Sequence, residues 1–323
     1  MKRNFLKYCS IMILGIVLHN DVRAQDPEFT QFFANPLYLN PAFAGSKRCP
    51  RINLNYRNQW PALSGTFVTT SASYDQHVES IYGGLGLLVT NDKAGEGTLN
   101  TTTINAMYAY QLKLGRKFSL RFGVQASYFQ KSLDWSKLTF GDMIDPRRGF
   151  VYQTADVPRG GSVGNMDFSA GILGFSENFY IGFSAHHLTE PNESLVTGTS
   201  PLPMKLSGHA GAVIPLGNSK YSTNDATLSP NIMYRSQGTF QQLNMGLYVN
   251  TKNIVFGAWY RNKDAFIALI GVKSDIFNFG YSYDVTVSKL TNASGGSHEI
   301  SMAINIPCKP KKRQFRTISC PSF

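Results

Sequence analysis

The chain has 323 residues and a net charge of +11, from 31 Lys and Arg against 20 Asp and Glu, yet only 16% of it is charged while 13% is aromatic. So little charge beside so many rings excludes a disordered chain, and the 29 glycines favour strands over helices. No stretch beyond the N-terminal region is apolar enough for a membrane-spanning helix, which needs roughly twenty such residues, so any membrane crossing falls to strands.

At the start, Lys2, Arg3 and Lys7 precede an apolar run from Ile11 to Leu18, followed by Val22-Arg23-Ala24. The run is too short to span a bilayer and fits a secretory signal over residues 1–24, with the mature chain beginning at Gln25. Cys9 precedes the apolar core, which argues against a lipoprotein.

Residues 25–50 contain Asn35-Pro36-Leu37-Tyr38-Leu39-Asn40-Pro41-Ala42-Phe43-Ala44-Gly45, which follows neither a helical nor a strand period. Each Pro lacks a backbone donor and pushes Asn35 and Asn40 toward extended or turn conformations, so the stretch is a shaped loop. Its apolar side chains need burial. Two placements satisfy them: a plug of residues 29–45 folded back into or beneath a barrel mouth, with Phe32, Phe33, Leu37, Tyr38 and Phe43 packed on lumen-side residues, or a structural strap across the barrel base. In the plug, the two Asn side chains satisfy turn amides.

From Arg51 onward, two-residue alternation dominates. Phe118, Leu120, Phe122, Val124, Ala126 and Tyr128 point one way while Ser119, Arg121, Gly123, Gln125 and Ser127 point the other. Similar runs cover Ile104–Leu112, Leu243–Val249, Ile254–Tyr260, Phe266–Val272, Phe277–Val285 and Ile300–Ile306. Weaker ones lie near 52–60, 66–76, 80–91, 166–175, 179–188, 204–216 and 227–237, for about fourteen strands.

Soluble sandwich strands run about five or six residues, whereas membrane strands need about nine to eleven, and these runs are of the longer kind. In lipid every backbone amide must be paired, so the strands must close into a ring. The expected fold is all-β, an outer-membrane barrel over residues 51–306 with about 14 antiparallel strands. Tyr108, Tyr110, Trp259, Tyr260, Tyr281 and Tyr283 sit near strand ends where interfacial girdles lie. The lumen faces carry few regular rows of acids or bases, which gives little sign of an ion-selective constriction.

An even strand number puts both termini at the periplasmic mouth. Outer loops then fall at 61–65, 92–97, 131–164, 190–203, 238–240, 263–264 and 286–297. The long insertion 131–164, with Trp135, Phe140, Asp142 and Asp145, suits a lid or plug, and its side of the membrane depends on the strand count before it. Gly83-Gly84-Leu85-Gly86 has no following helix and reads as strand with room for close packing, not as a phosphate cradle.

Without residues 1–24 the net charge is +8, of which +5 belongs to the tail 307–323 through Lys309, Lys311, Lys312, Arg313 and Arg316. The tail suits an acidic protein surface or anionic headgroups, or is simply solvated; nucleic acid is not expected for an exported barrel. Cys49 and Cys308 flank the first and last strands, which are neighbours in a closed ring, so they can staple the seam; Cys308–Cys320 is the rival pairing. No metal or cofactor is expected. Nor is an enzyme: His186 and His187 are adjacent on a strand and face opposite ways, and His298-Glu299 with Asp284 has no nucleophile-elbow or metalloprotease spacing.

Taken together, Asn35–Gly45, Asn55-Tyr56-Arg57-Asn58-Gln59-Trp60-Pro61, Gly280-Tyr281-Ser282-Tyr283-Asp284, Ser288, Gly296-Ser297-His298-Glu299-Ile300 and Cys320-Pro321-Ser322-Phe323 resemble the motifs of the PorP/SprF family of type IX secretion-associated outer-membrane proteins. The resemblance implies a non-enzymatic outer-membrane barrel of Bacteroidota that supports secretion, gliding and surface attachment of adhesins or other cargo with a C-terminal sorting domain. Other members of the family link to periplasmic lipoprotein rings and a peptidoglycan-binding protein. The residues alone leave a second function open, a channel for small or hydrophobic solutes gated by the N-terminal segment.

Overall fold

The structure, a computed structural model, describes residues 26–95, 98–115, 117–145, 147–154, 161–195, 198–216, 226–287 and 294–308. The signal segment, Ser288, the tail residues Lys309, Lys311, Lys312, Arg313 and Arg316, and Cys320 lie outside them.

Fourteen strands build the ring: β1 (Arg51–Gln59), β2 (Phe67–Val78), β3 (Gly83–Ala94), β4 (Leu99–Lys113), β5 (Ser119–Leu133), β6 (Ser162–Phe175), β7 (Phe179–His186), β8 (Lys205–Ala212), β9 (Thr227–Gln237), β10 (Phe240–Asn250), β11 (Ile254–Arg261), β12 (Ala265–Lys273), β13 (Phe277–Thr286) and β14 (Ser297–Asn305). Each pairs antiparallel with its chain neighbour, including β8 with β9 from Lys205↔Gln237 to Gly211↔Asn231. β1 and β14 close the seam from Arg51↔Asn305 to Gln59↔Ser297. No edge is left to pair, which lipid requires.

The alternation read in the sequence becomes the two faces of this wall. Outward positions such as Leu87, Val89, Ile104, Val124, Ile181 and Phe266 are exposed and form the lipid-facing band. Inward positions are buried, and they collect the charge. Arg51, Arg57, Asp75, Arg121, Asp167, Arg235, Arg261, Asp284 and Glu299 all lie inside, contrary to the expectation of a weakly charged lumen. The low overall charge hides this because the charged residues are concentrated on one face.

The connections after odd-numbered strands share one mouth, and they include the two long ones, 134–161 and 187–204. The other mouth carries 79–82, 114–118, 176–178, 213–226, 251–253 and 274–276, together with the start of β1 and the end of β14. Insertion 131–164 thus belongs to the long-loop mouth. None of its described residues from 134 to 154 is buried, so it does not fill the lumen. Residues 26–46 do.

Candidate functional site

The inner segment enters at the long-loop mouth, where the Asp26 amide donates to Gln237 Oε1 at 3.1 Å, and leaves at the other, where the Gly45 amide donates to Asp75 Oδ2 at 3.0 Å. It therefore runs the length of the ring instead of folding beneath one mouth. The expectation of both ends at one mouth does not hold for the described residues: Asp26 and Cys308 lie at opposite ends.

Its shape follows from the two Asn-Pro pairs. Pro36–Leu39 forms a single helical turn with Pro at its first position, where the missing N–H costs nothing. Asn40 is extended (φ −160°, ψ 124°), ends that turn and starts a 3₁₀ turn over Pro41–Phe43, its Oδ1 accepting the Ala42 amide at 2.9 Å. Turns this short leave no periodicity to read in sequence. Asn35 caps nothing; its Nδ2 donates to Ser71 Oγ at 2.8 Å and so ties the segment to β2.

Nearest the long-loop mouth the anchors are ionic. Asp26 meets Lys205 and, at 2.9 Å, His187 Nε2. Glu28 lies 3.4 Å from Arg261 and 3.7 Å from Arg235. One turn further in, Glu299 accepts the Thr30 and Gln31 amides at 2.6 and 3.0 Å, and Asp284 accepts the Thr30 hydroxyl at 2.6 Å. Arg57 bridges these two carboxylates at 3.1 and 3.4 Å, and Arg261 reaches Asp284 at 3.3 Å. Burying ions costs several kcal/mol each unless they are paired and hydrogen-bonded, and here each carboxylate has both kinds of partner.

Mid-lumen the contact is aromatic. Phe32 meets Trp259 edge-on with centroids 4.8 Å apart, and Phe33 packs 5.7 Å from Trp259 and 5.8 Å from Tyr180. Trp259 is therefore not a girdle residue; its strand alternation turns it inward, where a Cβ on Gly246 would stand 1.9 Å from its ring. Leu37 and Phe43 are buried in the same core, and Phe29 is buried edge-on against Tyr38 with centroids 5.0 Å apart, at about 1.5–3 kcal/mol per large apolar side chain.

Toward the mouth of the short connections the Arg121 guanidinium gathers the carbonyls of Ala42 (3.1 Å), Gly45 (3.0 Å) and Ala44. The strand glycines Gly84, Gly123 and Gly171 let this backbone lie flat on the wall: a Cβ would meet Ala44 O at 2.3 Å, Ala42 N at 2.3 Å and Asn40 Oδ1 at 2.0 Å, respectively. Gly45 itself has φ +64°, favourable for glycine. Just beyond, Cys49 is disulfide-bonded to Cys308, joining the two strands of the seam. Lys47, held down to about 8 by burial first and then by Arg51, donates to Asn305 Oδ1 at 3.0 Å beside a cavity of about 90 Å³.

The two motif blocks meet across the seam. Arg57 opposes Glu299, Asn58 opposes His298 and Gln59 opposes Ser297, and the Trp60 amide donates to the Gly296 carbonyl at 3.0 Å. Tyr56, Tyr283 and His298 stand on the outer face; the Tyr281 hydroxyl lies 2.8 Å from His298 Nδ1.

His186 and His187 do not face opposite ways. β7 ends at His186, and His187 has φ +59°, which breaks the alternation and brings the ring centroids to 6.4 Å. His187 Nδ1 lies 2.8 Å from Asp167. Burial lowers its pKa, but Asp26 and Asp167 outweigh that and raise it to about 9. Sequence reasoning missed Asp26, Glu28, Thr30, Asp167 and Arg261. For Asp167 and Arg261 the available signal was an isolated charge on the wet face of a strand, as at Arg121.

The chain matches the type IX secretion system membrane protein family PorP/SprF over residues 21–304. No curated protein matches it. Among solved structures, the KdgM porin is 8% identical, with 80% of this chain and 99% of that chain covered at a TM-score of 0.38. A FadL homologue from Pseudomonas aeruginosa is 11% identical over 82% and 92%, with a TM-score of 0.43. The translocator domain of the autotransporter NalP from Neisseria meningitidis is 12% identical over 80% and 89%, with a TM-score of 0.38. Scores this low carry no inference about role.

Proposed function

We infer function from one premise: the chain belongs to the PorP/SprF family of type IX secretion system membrane proteins and is a barrel of the outer membrane. From it follows a non-enzymatic role. The barrel supports secretion and surface attachment of adhesin-like cargo by binding protein at its mouths, with the long-loop mouth outside and the short-turn mouth in the periplasm. Cargo with a C-terminal sorting domain engages the outer mouth; lipoprotein ring subunits or a peptidoglycan-binding protein engage the inner one, where the basic tail begins.

The observation that supports protein binding over transport is the occupied ring. A segment bonded to β1, β2, β5, β13 and β14 and buried over most of its length leaves little path for a solute. The second reading, a solute channel gated by this segment, draws on the cavities of about 90 and 290 Å³ that flank it.

Cross-linking the native membrane, then purifying the full chain in detergent, separates the two. Recovery of secreted surface proteins or of ring subunits supports the scaffold. A lone barrel that conducts in planar bilayers supports the channel.

A further inference from the structure

The cavity of about 290 Å³ lies toward the long-loop mouth, where the inward faces of β3, β4 and β5 present a patch of hydroxyls. Thr90, Thr101 and Thr103 line it, and none of their hydroxyls has a hydrogen-bond partner among the described residues. Register brings them together. Thr90 opposes Thr103 and Asp92 opposes Thr101. On the next strand Phe129 opposes Thr103 and Lys131 opposes Thr101. The three threonines and Asp92 therefore form a patch two strands wide and one two-residue step tall, about 5 Å by 7 Å.

Asp92 accepts the Thr69 hydroxyl on Oδ1 at 2.6 Å and forms no ion pair among the described residues, which leaves Oδ2 open. The cations that line the cavity are engaged elsewhere: Lys131 with Glu193 at 2.8 Å, Lys205 with Asp26, and His187 with Asp26 and Asp167. Phe129 stands beside the deeper pair of threonines. It is buried, yet it lies outside the apolar core around Trp259, so its ring is a wall of this cavity. A hydroxyl both donates and accepts, and three of them beside one open carboxylate oxygen match a ligand that does both on neighbouring atoms. An ammonium or guanidinium only donates and would leave the hydroxyl hydrogens unmatched. An anion would face Asp92. A sugar ring satisfies both demands, with hydroxyls on its rim and C–H groups on its faces.

We propose that this cavity binds one neutral pyranose ring, its apolar face against Phe129 and its hydroxyls shared among Thr90, Thr103, Thr101 and Asp92. A free monosaccharide and the end of a longer glycan share this chemistry. The site stands apart from the partner assignment above: it holds whether or not the barrel binds cargo or ring subunits.

The test uses the full chain in micelles of a detergent that carries no sugar, with saturation-transfer NMR as the readout. The probes are the methyl α-D-pyranosides of glucose, galactose and mannose, their α-linked disaccharides, and sorbitol, which has the hydroxyls but no ring. At least one glycoside is expected to saturate, with sorbitol about tenfold weaker or more for want of an apolar face. Thr103→Val and Thr90→Val keep the side-chain shape and remove the hydroxyl; each should weaken that glycoside by about two- to tenfold, the span of one net hydrogen bond. Asp92→Asn should weaken it by about tenfold. A disaccharide tighter than its monosaccharide identifies a glycan end as the source; equal or weaker binding identifies a free sugar. The proposal is overturned if no glycoside saturates, if sorbitol binds as well, or if folded Thr103→Val binds undiminished. The comparison of glycoside with sorbitol on the unaltered chain is decisive even where a variant fails to fold.

Discussion

Glu299 accepts two consecutive backbone amides, Thr30 at 2.6 Å and Gln31 at 3.0 Å, while Arg57 stands 3.4 Å from the same carboxylate. A strand carboxylate thus holds the inner chain by its main chain, and an arginine on the neighbouring strand holds the carboxylate. Arg57→Ala leaves Asp284 and Glu299 without their shared cation, and breaking a buried pair this way costs about 3–5 kcal/mol. Urea unfolding in micelles should show that loss, and limited proteolysis should cut within residues 26–46 where the unaltered chain resists. Unchanged protection would show that these ions do not dock the segment.

Steric fit gives an independent handle. A Cβ at Gly123 would lie 2.3 Å from the Ala42 nitrogen, whereas a Cβ at Gly208 meets nothing within 4 Å. Gly123→Val should displace the Pro41–Phe43 turn and destabilise the barrel by about 1–3 kcal/mol, with Gly208→Val as the near-neutral control. Equal effects at the two positions would mean that the turn does not rest on β5.

The Cys49–Cys308 bond spans a sequence separation of 259 residues across the seam. Replacing both cysteines by serine should lower stability by about 2–5 kcal/mol, read as an earlier thermal transition. The unaltered chain treated with reductant should shift in the same direction. A reductant-insensitive transition would indicate that the seam is held by its ladder alone.

His187 carries a pH dependence. Its folded pKa, raised to about 9, exceeds the ordinary value of 6.5, so the stabilisation from its pairs with Asp26 and Asp167 is complete below about 6.5 and is lost as pH rises through about 9. Protection of the amides near Asp26, taken relative to the intrinsic base-catalysed exchange rate, should fall over that window, and His187→Gln should flatten this protection profile. A flat profile in the unaltered chain would place the proton elsewhere.

Much of this fold was legible beforehand because a period of two reports directly on a wall with one oily and one wet face. Strand number, the loops of one mouth and the adjacency of the first and last strands all follow from it. What stayed hidden depended on position within the ring. Trp259 looks like an interfacial residue until Phe32 and Gly246 are seen beside it, and His187 breaks the alternation only through one positive φ. Asp26 and Glu28 could not be assigned because their partners, Lys205 and Arg261, lie 179 and 233 positions away in the chain. A turn of four residues such as Pro36–Leu39 is shorter than any period that could announce it.

The central claim is that the chain from Asp26 to Ser46 fills its own barrel. Single-channel recording in planar bilayers tests it most directly, comparing the full chain with one lacking residues 29–45. The account predicts a closed full-length barrel and a deletion variant that conducts steadily. Open-barrel conductance from the intact chain, or a folded deletion variant that remains as silent as its parent, would contradict it.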